Sequence, residues 1–327
     1  MMRVIEITKP GGPEVLRLAH REIPEIPLNH VLVRVVAAGV NRPDISQRKG
    51  FYPPPPGVTD IPGLDIAGIV EQAAPGVAWP KAGDPICALV AGGGYAEYCI
   101  VPAIQCMQIP AGLSMLEAAA LPEVFFTAWN NIIWGAQLQA EEILLVQGGT
   151  SGVGLAAIQL AKQVVGATVI ATSGTEEKQA VCRKYGADYA ISYRGDWEKD
   201  VQQITGGEGV NVILDSQAGS YVQRELNLLA IDGRLVLIGS HLGTSAEINT
   251  RQIIHRRLKL MGTTVRSRSA EYKQKIAQGL MQSVWHLLQA RKVVMPICAC
   301  FKLEDAIKAH EMLDANLQIG KVVLEVT

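Results

Sequence analysis

The chain has 327 residues, with 30 Lys and Arg against 31 Asp and Glu and a formal charge of −1 when His is neutral. Roughly 100–200 residues per domain predicts two domains, each with its own core, and 48% hydrophobic with 19% charged residues is a globular composition. A near-neutral charge without a basic block leaves no electrostatic footprint for nucleic acid, and no apolar run reaches the ~18–20 residues of a membrane helix.

The first residues, Met1-Met2-Arg3-Val4-Ile5-Glu6-Ile7, read as a β-strand and lack the long apolar stretch of a signal peptide. Up to about residue 122, strand-like runs at 31–38 and 66–70 are broken by Pro10-Gly11-Gly12-Pro13, four prolines at 53–56, Gly83-Asp84 and Gly92-Gly93-Gly94. That pattern predicts a compact, mostly β domain of barrel or sandwich type, with 53–56 as a stiff exposed loop. Of 17 prolines, 16 lie at or before Pro122, so the architecture changes there.

Beyond residue 123 apolar runs alternate with helical spacing. Strands are expected at 143–146, 168–172, 189–192, 210–215, 234–238 and 258–265, with helices over 155–165 and up to Tyr185. Apolar strands alternating with helices predict a parallel, doubly wound α/β sheet covered on both faces. After it, 293–297 and 320–326 read as strands and 303–313 as a helix. Pro296 marks re-entry into the β architecture. The expected design is a split β-rich domain, 1–122 and 268–327, with an α/β domain, 123–267, inserted and a ligand cleft at their junction. Six cysteines (87, 99, 106, 182, 298, 300) are too sparse and irregular for a disulfide framework. A reduced, cytoplasmic location is expected, with Cys298 and Cys300 as buried strand residues.

The strongest motif is Val146-Gln147-Gly148-Gly149-Thr150-Ser151-Gly152-Val153-Gly154, between a buried strand and a helix. Gly149 and Gly154 have the spacing of the outer glycines of G-x-G-x-x-G, and Ser151 replaces the middle one. Such a turn lets helix and strand approach closely and offers helix N-terminal N–H groups to a pyrophosphate. NAD sites usually carry Asp or Glu at the end of the second strand to hold the ribose hydroxyl. Here Thr172-Ser173-Gly174 stands instead, with Lys178 and Tyr193 available to a 2′-phosphate, so NADPH is favoured. Glu176 and Glu177 would oppose a phosphate if they faced it.

On these residues, together with Asn41-Arg42-Pro43-Asp44, Gln47-Arg48-Lys49-Gly50, Tyr52-Pro53-Pro54-Pro55, Ala118-Ala119-Ala120-Leu121-Pro122-Glu123 and Tyr272-Lys273-Gln274, the chain resembles a known family along its whole length. That family is the zinc-free quinone oxidoreductase branch of the medium-chain dehydrogenase/reductase superfamily. The resemblance is nearest to the tumour-suppressor-inducible quinone oxidoreductase type and more distant to zeta-crystallin. It implies a split GroES-like catalytic domain, a Rossmann-like domain, a homodimer joined through the latter's edge strand, and NADPH-dependent quinone reduction. It also implies Ser173, Lys178 and Tyr193 as 2′-phosphate ligands and Asn41 and Thr127 on the nicotinamide side. Ser240, His241, Leu242, Val265, Arg266 and Ser267 would lie along the cofactor groove, and Asn316 near the adenosine phosphate. Ser46 stands where zeta-crystallin-like enzymes carry Tyr; Tyr52 is retained.

Zinc members of the superfamily carry a Cys before the Asp of the first loop and a Gly-His-Glu motif further on. Here Asn41-Arg42-Pro43-Asp44 and Pro62-Gly63-Leu64-Asp65 occupy those stretches, and no four-Cys cluster exists, so no metal is expected. A quinone needs little acid help, because its reduced oxygen has a pKa near the ~10 of a phenol and takes a proton from water. The protein's task is placement. Tyr52 is the substrate-side candidate, or else a loop residue packed on the prolines. Asn41 and Asp44 either join it or form a turn around Pro43. Phe126 is core or pocket wall. Two other functions stay open: reduction of activated C=C bonds in enones or alkenals, with Tyr52 as the obvious acid, and a non-enzymatic NADPH-binding or RNA-contacting role, against which the charge argues.

Overall fold

The computed structural model describes residues 1–327. Strands β1 (Met2–Ile7), β2 (Leu16–Arg21) and β3 (His30–Val40) precede helix α1 (Arg42–Arg48) and strands β4 (Asp65–Ala73), β5 (Pro85–Leu89), β6 (Tyr98–Pro102) and β7 (Met107–Gln108). Helices α2 (Met115–Ala119) and α3 (Pro122–Ala128) lead into β8 (Ile143–Val146), α4 (Gly152–Leu160), β9 (Thr168–Ser173), α5 (Glu176–Lys184), β10 (Tyr189–Ser192) and α6 (Trp197–Ile204). Next come β11 (Val210–Asp215), α7 (Tyr221–Leu228), β12 (Leu229–Leu237), α8 (Thr250–Arg256) and β13 (Lys259–Gly262). Helices α9 (Ala270–Ser283) and α10 (Trp285–Gln289), strand β14 (Ile297–Lys302), helix α11 (Ala306–Asp314) and strand β15 (Lys321–Glu325) complete the chain.

Two compact units result: Met1–Phe126 with Val265–Thr327, and Thr127–Thr264. In the first, β14, β15, β3, β4, β5 and β7 lie side by side, and β6 adds to β3. Only β14 and β15 run parallel; the other pairs are antiparallel. Val31, Val33 and Val35 alternate on the buried face of β3, as a half-buried strand requires, and pack with Ile66, Ile86 and Leu324. Each such side chain contributes roughly 1.5–3 kcal/mol on burial. The four prolines at 53–56 lie outside helix and strand, since a proline run offers no N–H to either.

The second unit is a six-stranded, all-parallel sheet in the order β10-β9-β8-β11-β12-β13. Numbered from its own first strand this is 3-2-1-4-5-6, the order in which a dinucleotide lies across the crevice where the winding reverses, here between β8 and β11. Leu145, Ile170, Ile213 and Leu235 come from its four central strands and are fully buried.

Three expectations need correction. Residues 293–296 are irregular, and the strand starts only at Ile297, because Pro296 has no N–H to donate. The sixth strand is confined to Lys259–Gly262. Cys298 and Cys300 are exposed, not buried: β14 is an edge strand that bulges between Ile297 and Ala299 and turns Ala299 and Phe301 inward. The Asn41-Arg42-Pro43-Asp44 stretch, left open between a turn and a site, opens helix α1 with Pro43 in its first turn.

Candidate active site

In the second unit, β8 ends at Val146 and the chain turns through Gly148, whose φ of +72° suits glycine. A Cβ on Gly154 would meet the Gly148 carbonyl oxygen at 2.5 Å, and one on Gly149 would meet Ala171 Cβ and Cys182 Sγ at 2.8 Å. Close approach of α4 to the turn, and of the turn to β9 and α5, therefore requires both glycines. Ser151 is the N-cap of α4: its hydroxyl donates to Gly148 O (2.8 Å) and accepts from Gly154 N–H (3.0 Å). A side chain here performs the capping that the bare glycine motif leaves to the ligand. The first-turn amides of Gly152 and Val153 have no intrahelical acceptor, as at any helix N-terminus, and suit an anion.

A buried polar chain supports this turn. Thr172 Oγ1 accepts from Gly148 N–H (3.1 Å) and donates to Gln147 Oε1 (2.7 Å), and Gln147 Nε2 donates to Glu225 Oε1 (3.0 Å). Burial first, then the nearby Asp215, pushes the Glu225 carboxyl well above the usual carboxylate range. Asp215 closes the turn after β11 by accepting from the N–H groups of Gln217 and Ala218, both at 2.6 Å.

No acid stands at the end of β9. Tyr193 lies over Gly174, where a Cβ would be 2.3 Å from the phenol oxygen, and the residue is 42% exposed. Lys178 sits in the first turn of α5, its backbone N–H donating to the Thr175 cap (3.2 Å). Ser173 is buried beside them and, apart from a weak contact with the Cys182 thiol, its hydroxyl has no hydrogen-bond partner. An orphaned hydroxyl, a glycine covered by the Tyr193 ring and a lysine in the first turn of the following helix fit a phosphate-bearing ribose. Ser240, His241 and Leu242 are exposed on the loop after β12, whose His241 and Leu242 N–H groups donate to Ser216 O (3.2 Å) and Gln217 O (2.8 Å). That loop therefore stands at the C-terminal end of β11. Thr127 lies in the last turn of α3, its carbonyl accepting from Asn131 Nδ2 at 2.7 Å.

In the first unit, Asn41 caps α1 and Asp44 accepts from the Asn41 backbone N–H (2.8 Å), Gly63 N–H (3.1 Å) and the Tyr95 hydroxyl (3.3 Å). Asp44 is only 1% exposed, and burial, opposed by the Asn41 N–H, pushes its carboxyl up to about 6. Asp44 is thus a buried organiser of α1. The Asn41 side chain is likewise committed: Nδ2 donates to Asp65 Oδ2 (2.9 Å) and Oδ1 accepts from Lys321, which also binds Asp65 (2.8 Å). Lys321 and Asp65, both buried, went unread in the sequence because 256 residues separate them.

Arg266 is held by acceptors within the first unit. Its guanidinium donates to Ala91 O, Tyr52 O and Gln47 Oε1 and lies 5.1 Å from the centre of the Tyr52 ring. Val265 is buried and Ser267 exposed. Phe126 is fully buried and belongs to the core. Asn316, with φ +55°, accepts from the Arg42 guanidinium. Leu64 is buried, and no three His, Cys, Asp or Glu side chains are grouped to hold a metal ion.

A split sheet unit with a glycine-turn parallel sheet defines a medium-chain dehydrogenase/reductase. The alcohol dehydrogenase GroES-like domain family matches residues 27–111 and the zinc-binding dehydrogenase family residues 152–281. The quinone oxidoreductase of Lama guanicoe is 35% identical over 99% of this chain and 97% of its own. The Escherichia coli quinone oxidoreductase, solved in complex with NADPH, superposes with a TM-score of 0.87 at 29% identity over all of both chains. The JamJ enoyl reductase superposes with a TM-score of 0.88 at 25% identity over all of both chains. The chain belongs to the quinone oxidoreductase family of the medium-chain dehydrogenase/reductase superfamily.

Proposed function

We propose that this protein is an NADPH:quinone oxidoreductase that reduces its acceptor without a metal ion. The observation that carries the cofactor choice is the end of β9, where Thr172, Ser173 and Gly174 replace the ribose-binding acid, Tyr193 lies over Gly174 and Lys178 follows in the first turn of α5. Full-length likeness to quinone oxidoreductases, one of them bound to NADPH, supports both halves of the reading. The cofactor supplies a hydride. The chain's residues bind and orient: Gly152 and Val153 N–H groups toward the pyrophosphate, Lys178 and Tyr193 toward the 2′-phosphate with Ser173 beneath them, and Thr127, Ser240, His241, Leu242, Ser267 and Asn316 along the remainder. Asn41 contributes through the backbone geometry that Asp44 and Lys321 fix. Tyr52 is the acceptor-side residue.

The catalytic role is assigned to residues 1–122 and 268–327 and cofactor binding to 123–267, an assignment supported by compact units that change over at Phe126 and Val265. No helix is long and apolar enough to cross a membrane, and all six cysteines are free; both agree with action in a reducing cytoplasm. The exposed outer edge of β13 favours a homodimer. Reduction of activated C=C bonds is the second reading, favoured by the likeness to an enoyl reductase. NADPH oxidation against ortho- and para-quinones, enones and aldehydes, with and without chelator, decides between them. Quinones should turn over fastest and chelator should change nothing; enones alone as substrates would transfer the assignment to the second reading.

A further inference from the structure

Two cations lie buried in the first unit with no carboxylate bound to either. Arg266 is 5% exposed, and its guanidinium donates only to neutral acceptors: Ala91 O (2.7 Å), Tyr52 O (3.1 Å) and Gln47 Oε1 (2.7 Å). Lys273 on α9 is 3% exposed, and its ammonium donates to the backbone oxygen of Arg266 at 2.8 Å. Burial, and then the charge of Arg266, holds the Lys273 ammonium down at about 8. Burial likewise lowers the pKa of Arg266. Among carboxylates only Asp44 pulls on Arg266, and none pulls on Lys273. The Asp44 carboxyl is already taken by Asn41, Gly63 and Tyr95.

Buried ions are normally paired, and two like charges side by side repel. A fold that keeps such a pair carries an unfavourable positive potential until an anion arrives. The position of the pair says where. Arg266 Cζ lies 5.1 Å from the centre of the half-buried Tyr52 ring, and the same guanidinium holds the Tyr52 carbonyl. The charge is thus fixed beside the residue assigned to the acceptor.

We infer that Arg266, backed by Lys273, is a positioning residue for Tyr52 and makes that face of the first unit selective for acceptors bearing an oxyanion. The inference rests on the quinone reading. In that reaction the acceptor takes a hydride, two electrons with one proton, and becomes a hydroquinone monoanion. The second proton comes from water. The charge that develops on the acceptor oxygen has the sign this pair stabilises, and a preorganised charge in a poorly solvated site acts without reorganisation.

Binding tests this apart from turnover. A hydroxynaphthoquinone ionised at neutral pH is compared with its neutral methyl ether by calorimetry on the wild-type protein and on Arg266→Gln, Lys273→Gln and Lys273→Arg. Wild type should bind the anion at least about tenfold more tightly. Arg266→Gln should lose that preference, Lys273→Gln should weaken it, and Lys273→Arg should keep it. Equal affinity for the two compounds in wild type overturns the inference, and that comparison needs no variant to fold. So does a folded Arg266→Gln protein that retains the preference. Anion preference without turnover of any quinone would sink the functional reading but leave this one standing; turnover without the preference does the reverse.

Discussion

Cofactor selectivity in this chain turns on very few atoms. A 2′-phosphate adds close to two negative charges to the ribose, and beside Gly174 it would meet the Tyr193 hydroxyl and the Lys178 ammonium in place of a carboxylate. Glu176 and Glu177 are exposed on the same turn and oppose it, so Lys178 must outweigh them by proximity. Lys178→Ala should therefore weaken NADPH binding about tenfold or more, while NADH, lacking the phosphate, changes by about twofold or less. Fluorescence titration of both cofactors checks this; equal losses would remove Lys178 from the phosphate site. These residues were legible because they follow strand ends at fixed offsets, and Gly149 and Gly154 because backbone packing admits no side chain there. The direction of the Arg266 side chain was not legible, because it is set by distant acceptors, here Gln47 and Ala91. That Lys321 and Tyr95 claim Asn41 and Asp44 was not legible, because nothing local in the sequence reveals it.

Elements are joined through buried hydrogen bonds that the periodicity of strands and helices does not encode. Helix α11 is tied to α1 by Arg48, whose guanidinium donates to His310 Nδ1 (3.2 Å) and to Asp314 (2.6 Å). With Nδ1 accepting, the His310 proton sits on Nε2, which donates to the Tyr95 hydroxyl (3.2 Å), and Tyr95 in turn donates to Asp44. Burial, and then Arg48, pushes His310 down to about 3. In the unfolded chain it titrates near pH ~6.5. Unfolding below that pH takes up a proton, so the stability His310 contributes is complete above pH ~6.5 and is lost as pH falls toward 3, at about 1 kcal/mol per pH unit. Asp44, raised to about 6, acts in the opposite sense: folding binds its proton, so it adds stability as pH falls from 6 toward ~4. His310→Gln keeps an acceptor for Arg48 and a donor for Tyr95 but cannot titrate. Between pH 7 and 5 the wild type should lose about 2 kcal/mol more than the variant in urea unfolding; equal losses would show that the acid limb arises elsewhere. The sequence shows α1 only as Asn-Arg-Pro-Asp, which reads as a turn until the Asp44 carboxylate is seen returning to the Asn41 N–H. The phase of β14 was not legible because an alternating run does not say which of its two faces is turned inward.

At the scale of the whole molecule, the proline imbalance at residue 122 and the switch to apolar runs divided the chain, since parallel strands and crossover helices exclude proline and short antiparallel strands with turns admit it. What no pattern within one chain specifies is how an open sheet edge is covered. The second unit's sheet ends at β13, whose outer side is unpaired. Lys259 and Gly262 are exposed there, Leu260 is 40% exposed, and Ile254 on the adjoining α8 is 75% exposed. An unpaired edge with apolar side chains beside it invites another strand, and closed assemblies of identical chains are mostly two-fold. In an antiparallel pair of β13 strands the residue nearest the axis meets its own copy. Leu260 and Met261 are the central residues of the four-residue strand, so Leu260→Glu would set two carboxylates close together across the axis. By sedimentation the wild type should run at twice 35.2 kDa and Leu260→Glu as the single chain, while NADPH binding to the isolated copy stays within about twofold because no phosphate-site residue lies on β13. A wild type that sediments as a single chain, or a variant that remains a pair, would mean that this edge is covered in some other way.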